Sequence, residues 1–149
     1  MHRGLLCLLA ATLIASCGPL PISIVRATPT PAYVAAVQGL RRDFDALTAT
    51  IRDAVSTDTA LRAVLLVNTD TPDRLDQRRR TLADAIDKLP DATSAGRAYL
   101  RTSTAQLAIA INLLRWRPPY PQMETIRLGI RDALNTAEAE WLKGEDALR

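Results

Sequence analysis

Residues 33–55, YVAAVQGLRRDFDALTATIRDAV, decide the fold class of this chain. Tyr33, Val37, Leu40, Phe44, Leu47, Ile51 and Val55 recur at intervals of 4, 3, 4, 3, 4 and 4 residues. That alternation follows the helical period and puts all seven side chains on one stripe. Arg41, Arg42, Asp43 and Asp45 fall off it. The segment is therefore an amphipathic helix with one face for a core.

The same period persists to the end of the chain. Thr57-Asp58 offers a capped restart, and Leu61, Val64 and Leu65 form the next short apolar face. A strand over Ala63–Val67 would leave its backbone unpaired, because nothing else in the chain reads as its partner, so helix is preferred. Thr71-Pro72 marks another start, with proline at the first helical position. Leu75, Leu82, Ile86 and Leu89 supply that helix's face and Pro90 stops it. Asp91 can cap a helix running to about Trp116. Its stripe is Leu100, Leu107, Ile111 and Leu114, widened by Ala105, Ala108, Ile109, Ala110 and Leu113. Pro118, Pro119 and Pro121 end it. Met123, Ile126, Ile130, Leu134, Ala137 and Trp141 line the last helix, with fraying expected at Glu145 and Asp146, where the helix dipole disfavours anions.

Helices over 32–56, 91–116 and 122–147 are each about 25 residues, or roughly 38 Å, long. The pieces 58–68 and 72–88 make a rod of similar span, broken near Asn68–Thr71. The expectation is an all-α domain over residues 32–149, an up-down four-helix bundle with that second rod broken. The single Phe, three Tyr and two Trp leave its core to Leu, Ile, Val and Ala.

The N-terminus reads differently. Arg3 precedes the apolar run Leu5–Ala15, and the small Ser16 precedes Cys17. A basic start, a short apolar stretch and small residues before a cut point describe a secretory signal over 1–16. The run is too short to cross about 30 Å of hydrocarbon. Ile14-Ala15-Ser16-Cys17 resembles the lipobox of bacterial lipoproteins, although that pattern often has Leu where Ile14 stands. The resemblance covers the first 18 residues or so. It implies cleavage before Cys17, a diacylglycerol thioether on its sulfur and acylation of the new N-terminus. The product would be extracytoplasmic and lipid-anchored to a bacterial membrane. Gly18, which is not Asp, resembles the signal for the outer membrane in a host with two membranes.

Residues 17–31 form the link to the domain. Pro19, Pro21, Pro29 and Pro31 make it extended, and residues 18–31 reach roughly 43 Å as a spacer. Ile22, Ile24 and Val25 offer a different use, docking onto the domain.

Residue types restrict the chemistry. His2 is the only histidine, and Cys7 and Cys17 are the only cysteines. A lipidated mature chain would have no imidazole and no thiol, so Ser-His-Asp and Cys-His catalysis, His/Cys zinc sites and thiol redox chemistry drop out. Gly39, Gly96, Gly129 and Gly144 stand singly and form no phosphate loop. Asp43 with Asp45, and Glu138 with Glu140, are two apart and point to different sides of a helix. No catalytic residue, metal or cofactor is therefore expected. The run Arg78-Arg79-Arg80 reads as a solvated face supported by Arg80–Asp84 and Asp84–Lys88 pairs, not as a nucleic-acid site.

One charge pattern is uneven. No acidic residue lies between Asp91 and Glu124. In antiparallel packing Arg97 and Arg101 would face Glu138, Glu140, Glu145 and Asp146. Arg115, Arg117, Arg127 and Arg131 gather around Trp116-Arg117-Pro118-Pro119-Tyr120-Pro121 with only Glu124 opposing them nearby in sequence. Trp, Tyr, Arg and a rigid turn are residue types that anchor interfaces. Arg115, Trp116, Arg117, Tyr120, Arg127 and Arg131 are thus candidate contacts for an envelope protein or polymer. A plain helix stop with Trp116 buried is the competing account. A small-molecule pocket inside the bundle and a carboxylate enzyme are the rival functions.

Overall fold

The structure is a computed structural model that describes residues 30–68, 70–90, 92–116 and 122–148. The signal segment, Cys17, the link to residue 29, Arg117 and Tyr120 lie outside the described residues. The described chain is all-helical: α1 (Pro31–Ala54), α2 (Asp58–Arg62), a π-helical turn (Ala63–Val67), α3 (Thr71–Asp87), α4 (Ser94–Arg115) and α5 (Met123–Leu148). None of these helices is long and apolar enough to cross a membrane.

Local chemistry explains the boundaries. Thr30 caps α1, its side chain accepting from the Tyr33 N–H at 3.3 Å. Pro31 opens the helix, where its missing N–H costs nothing. It belongs to the helix rather than to the link. Thr57 caps α2 by accepting from Ala60 N–H at 3.0 Å, as expected. α3 starts at Thr71 with Asp70 before it, so Pro72 takes the second helical position. α4 starts later than expected, at Ser94, because Thr93 supplies the cap by accepting from Gly96 N–H at 3.0 Å.

The segment 63–67 is neither strand nor α-helix. Asn68 N–H reaches back to the Ala63 carbonyl at 2.7 Å, closing a wide turn. Val64 and Leu65 are buried there, while Leu66 and Val67 are 71% and 76% exposed. The π-helical turn ends at Val67, and α3 begins at Thr71.

Long helices run antiparallel to their neighbours. α4 and α5 share the most extensive interface. Thr93 Oγ1 donates to Ala147 O at 2.9 Å, and Ser103 Oγ to Ala137 O at 2.7 Å, so the start of α4 lies beside the end of α5. Arg101–Asp87 at 2.6 Å and Arg115–Asp73 at 2.9 Å set α4 against α3 in the same sense. Arg52–Glu138 at 2.7 Å and the Phe44–Trp141 stack, with ring centroids 4.3 Å apart, do so for α1 and α5.

The core holds every stripe residue of α3 and α5 read above, with Leu61, Val64 and Leu65. α4 differs. Ala105 and Ile109 are exposed, whereas Gly96, Ser103 and Thr104 are buried. Small residues let α5 come close on that side, and buried hydroxyls are satisfied by backbone carbonyls, Ser103 on α5 and Thr104 within α4. The end of α5 stays helical to a buried Leu148. Glu145 is held by the Trp141 N–H at 2.9 Å and by Arg41 at 3.8 Å, which offsets its poor position relative to the dipole.

Candidate interaction surface at the Trp116 end

α1 starts beside the end of α5, and the 24-residue α1 spans about 36 Å. Trp116, the C-cap of α4, lies at the opposite end of the body from Thr30, together with the starts of α3 and α5. Trp116 is 49% exposed, so it is not buried in the end of the bundle.

The arginines expected to gather there separate. Arg115 turns to α3, where it meets Asp73 at 2.9 Å and Asp76 at 3.5 Å, and it also donates to Asn112 at 2.6 Å. The Asp73 hydrogen bond leads in pushing its guanidinium pKa further up, against the effect of burial. Arg127 meets Asp58 of α2 at 2.8 Å and Glu124 at 3.4 Å. The imbalance in the linear sequence is thus answered by acids from α2 and α3. Arg131 is exposed and makes no ion pair with the described residues. It lines a groove of about 290 Å³ between α1 and α5 with Arg52, Val55, Glu124, Arg127 and Leu128. Arg115 and Trp116 do not line it.

Asp76 escaped the sequence reading. It is 7% exposed and accepts from Arg79 at 2.8 Å and Arg80 at 2.9 Å, with Arg115 close by. Burial pushes its carboxyl pKa up, but the hydrogen bonds and charges of Arg79 and Arg80 together outweigh burial and hold it below the ordinary value. The Arg78–Arg80 run is therefore not simply a solvated face, and Arg80 pairs with Asp76 instead of Asp84. The signal was the interval from Leu75 to Leu82, where Arg79 takes the missing stripe position and Asp76 stands three and four residues before Arg79 and Arg80.

Arg97 and Arg101 also part from expectation. Arg101 pairs with Asp87 of α3, and Arg97 donates to the Leu89 carbonyl at 2.8 Å. The acids of α5 instead take arginines of α1, with Glu138 bound to Arg52 and Glu145 to Arg41. Among the described residues no group of three or more Asp, Glu, His or Cys side chains is placed to hold a metal ion. No protein-family model, no curated protein and no solved structure matches the chain.

Proposed function

We propose that the chain is an extracytoplasmic lipoprotein, anchored by acyl chains on Cys17, whose helices form an up-down bundle of four rods. It acts as a non-catalytic binding or assembly module for an envelope protein or polymer. The single observation that carries the binding reading is the half-exposed Trp116 at the end opposite Thr30. Exposed Leu66 and Val67 belong to the same end, because Asp73 in the first turn of the following helix holds Arg115. A ring of this size left in water is a frequent anchor at interfaces. Arg131, which makes no ion pair among the described residues, adds a cation at the rim of the neighbouring groove.

A small anionic ligand in the Arg52–Arg127–Arg131 groove is the second reading, favoured by its three guanidinium groups. At about 290 Å³ the groove is at the low limit for small-molecule sites, and Glu124 sits among the arginines. Both facts favour a macromolecular partner.

Two experiments test the proposal. Cys17→Ser should release the protein from membranes, and unchanged membrane fractionation would refute the anchor. Trp116→Ala combined with Arg117→Ala should remove a partner from the crosslinking profile of the intact envelope while leaving helix content intact. An identical profile would exclude that turn as the contact.

A further inference from the structure

A second groove lies at the other end of the body. It holds about 500 Å³ and runs along the first half of α1 against the end of α5. Tyr33, Val34, Val37 and Leu148 give it apolar walls, while Arg41 and Glu145 stand at the polar side. Val34 is 42% exposed, an uncovered aliphatic beside a stripe whose positions are buried or half-buried. The Arg41–Glu145 side is fixed from behind by a closed set of contacts. Arg41 lies over the Phe44 ring at 5.7 Å, Phe44 stacks on Trp141, Trp141 donates to Glu145, and Glu145 meets Arg41.

The chain leading into α1 supplies an occupant of matching size. Leu20, Ile22 and Ile24 alternate with Pro21, Ser23 and Val25. Proline biases the residue before it to extended backbone, and in an extended segment alternate residues share one face. Leu20 to Ile24 then covers about 13 Å. The groove follows α1 from Tyr33 to Arg42, a rise of about 14 Å. A cavity of roughly 150 Å³ accommodates one benzene-sized group, so this groove has room for about three such side chains.

The connection also fits. Thr30 is the N-cap of α1, one turn from Tyr33, and its backbone is extended. Residues 26–29 provide roughly 12 Å of chain for the return. With Ile24 at the Tyr33 end, Arg26 comes near the carboxyl end of α5, where the helix dipole and Glu145 favour a cation.

From this match we infer that the α1–α5 groove is the seat of the chain's own Leu20–Val25 segment, with Leu20, Ile22 and Ile24 inserted. The link then folds back on the domain instead of standing out as a spacer. The domain is held closer to whatever Cys17 is attached to than the roughly 43 Å that residues 18–31 would allow if stretched. The inference does not depend on the lipid anchor or on the Trp116 surface.

The test uses the full chain in its host membrane, with a photoreactive benzoylphenylalanine in place of Val34. Irradiation followed by peptide mass spectrometry should place the main crosslink within residues 20–25 of the same chain. Ile22→Asp with Ile24→Asp should cut that crosslink at least about tenfold, since each charge would have to leave water. Helix content should stay unchanged, because neither residue belongs to the helical body. Crosslinks mainly to lipid, to a second copy or to another protein would overturn the inference. So would an intramolecular crosslink that the double substitution leaves intact.

Discussion

Gly144→Ala and Gly39→Ala make the same chemical change in two helices and should move stability in opposite directions. Replacing a helical glycine with alanine removes backbone freedom from the unfolded chain, worth about 0.4–1 kcal/mol where the new methyl fits. At Gly39 the methyl meets nothing within 4 Å, so the gain stands. At Gly144 it lies 2.7 Å from Leu100 Cδ2, 2.9 Å from Leu100 Cγ and 3.3 Å from the Gly96 carbonyl oxygen. Leu100 is 1% exposed, a fully buried core side chain. Overpacking of this kind costs about 1–3 kcal/mol. The gain is common to both sites, so the two variants should differ by the overpacking cost, about 1–3 kcal/mol, and the net effect at Gly144 is a loss of up to about 2 kcal/mol. For a domain of this size that gap is about 4–12 °C in Tm. Thermal and urea unfolding followed by circular dichroism measures it. Leu100→Ala removes the obstructing atoms, so the cost of Gly144→Ala should largely vanish on that background. Gly144→Ala melting at or above the wild type, while Gly39→Ala shows its gain, would refute the close approach of α4 and α5. Gly96→Ala should be milder. Its methyl meets Leu148 at 2.6 Å, but Leu148 is in the last turn of α5 and can shift.

Asp76→Asn should cost about 1–2 kcal/mol at neutral pH, since it removes a charged acceptor from Arg79 and Arg80 while leaving the shape. Because the folded Asp76 pKa is lowered, its contribution is present above the unfolded value near 4 and lost as pH falls through the folded value. Urea midpoints measured between about pH 5 and 2 should therefore fall less steeply in the variant; identical slopes would show that Asp76 is not the linked group. Trp141→Ala should cost about 3–5 kcal/mol, as it empties a fully buried site and unstacks Phe44. A loss under about 1 kcal/mol in urea unfolding would mean that the α1–α5 seam is not packed as described.

The parts legible from sequence were those governed by one-dimensional period. Leu75, Leu82 and Ile86 on α3, and Met123 to Trp141 on α5, are buried where their spacing puts them. The cap at Thr57 was equally local. What escaped depends on neighbours in space. Ile109 has the hydropathy of a core residue and Ser103 does not, yet Ile109 is 48% exposed and Ser103 is fully buried. A carbonyl of α5 waits for the Ser103 hydroxyl, and no window along α4 contains that fact. The π-helical turn is also set by competition between burying Leu61, Val64 and Leu65 and releasing Leu66 and Val67 before α3 begins. At the candidate surface, sequence left Trp116 open between an interface contact and a buried helix stop, and it assigned too few acids to the arginines around it. Asp58 and Asp73 are far away along the chain and adjacent in space.

The misassigned arginines point to what their ion pairs do. Most are exposed and each is worth about 0–1 kcal/mol, too little to build the domain. Their distribution is nevertheless ordered. α1 presents Arg41 and Arg52 to the acids of α5, and α4 presents Arg101 and Arg115 to the acids of α3. Exchanging α1 and α3, so that α1 lay along the arginine-bearing flank of α4, would bring the arginines of α1 towards Arg101 and Arg115 in place of Asp87 and Asp73. Like charges in contact are penalised, and the lost pairs add to the difference. Apolar stripes made of Leu, Ile, Val and Ala discriminate weakly between such arrangements, because almost any two of them pack. The charged flanks therefore select among arrangements that the apolar faces would tolerate. For Arg52, Arg101 and Arg115 the balancing acid sits on the helix that must be the neighbour and not near them in the chain, whereas the local pairs, such as Arg41 with Asp45 and Arg80 with Asp76, carry no such information.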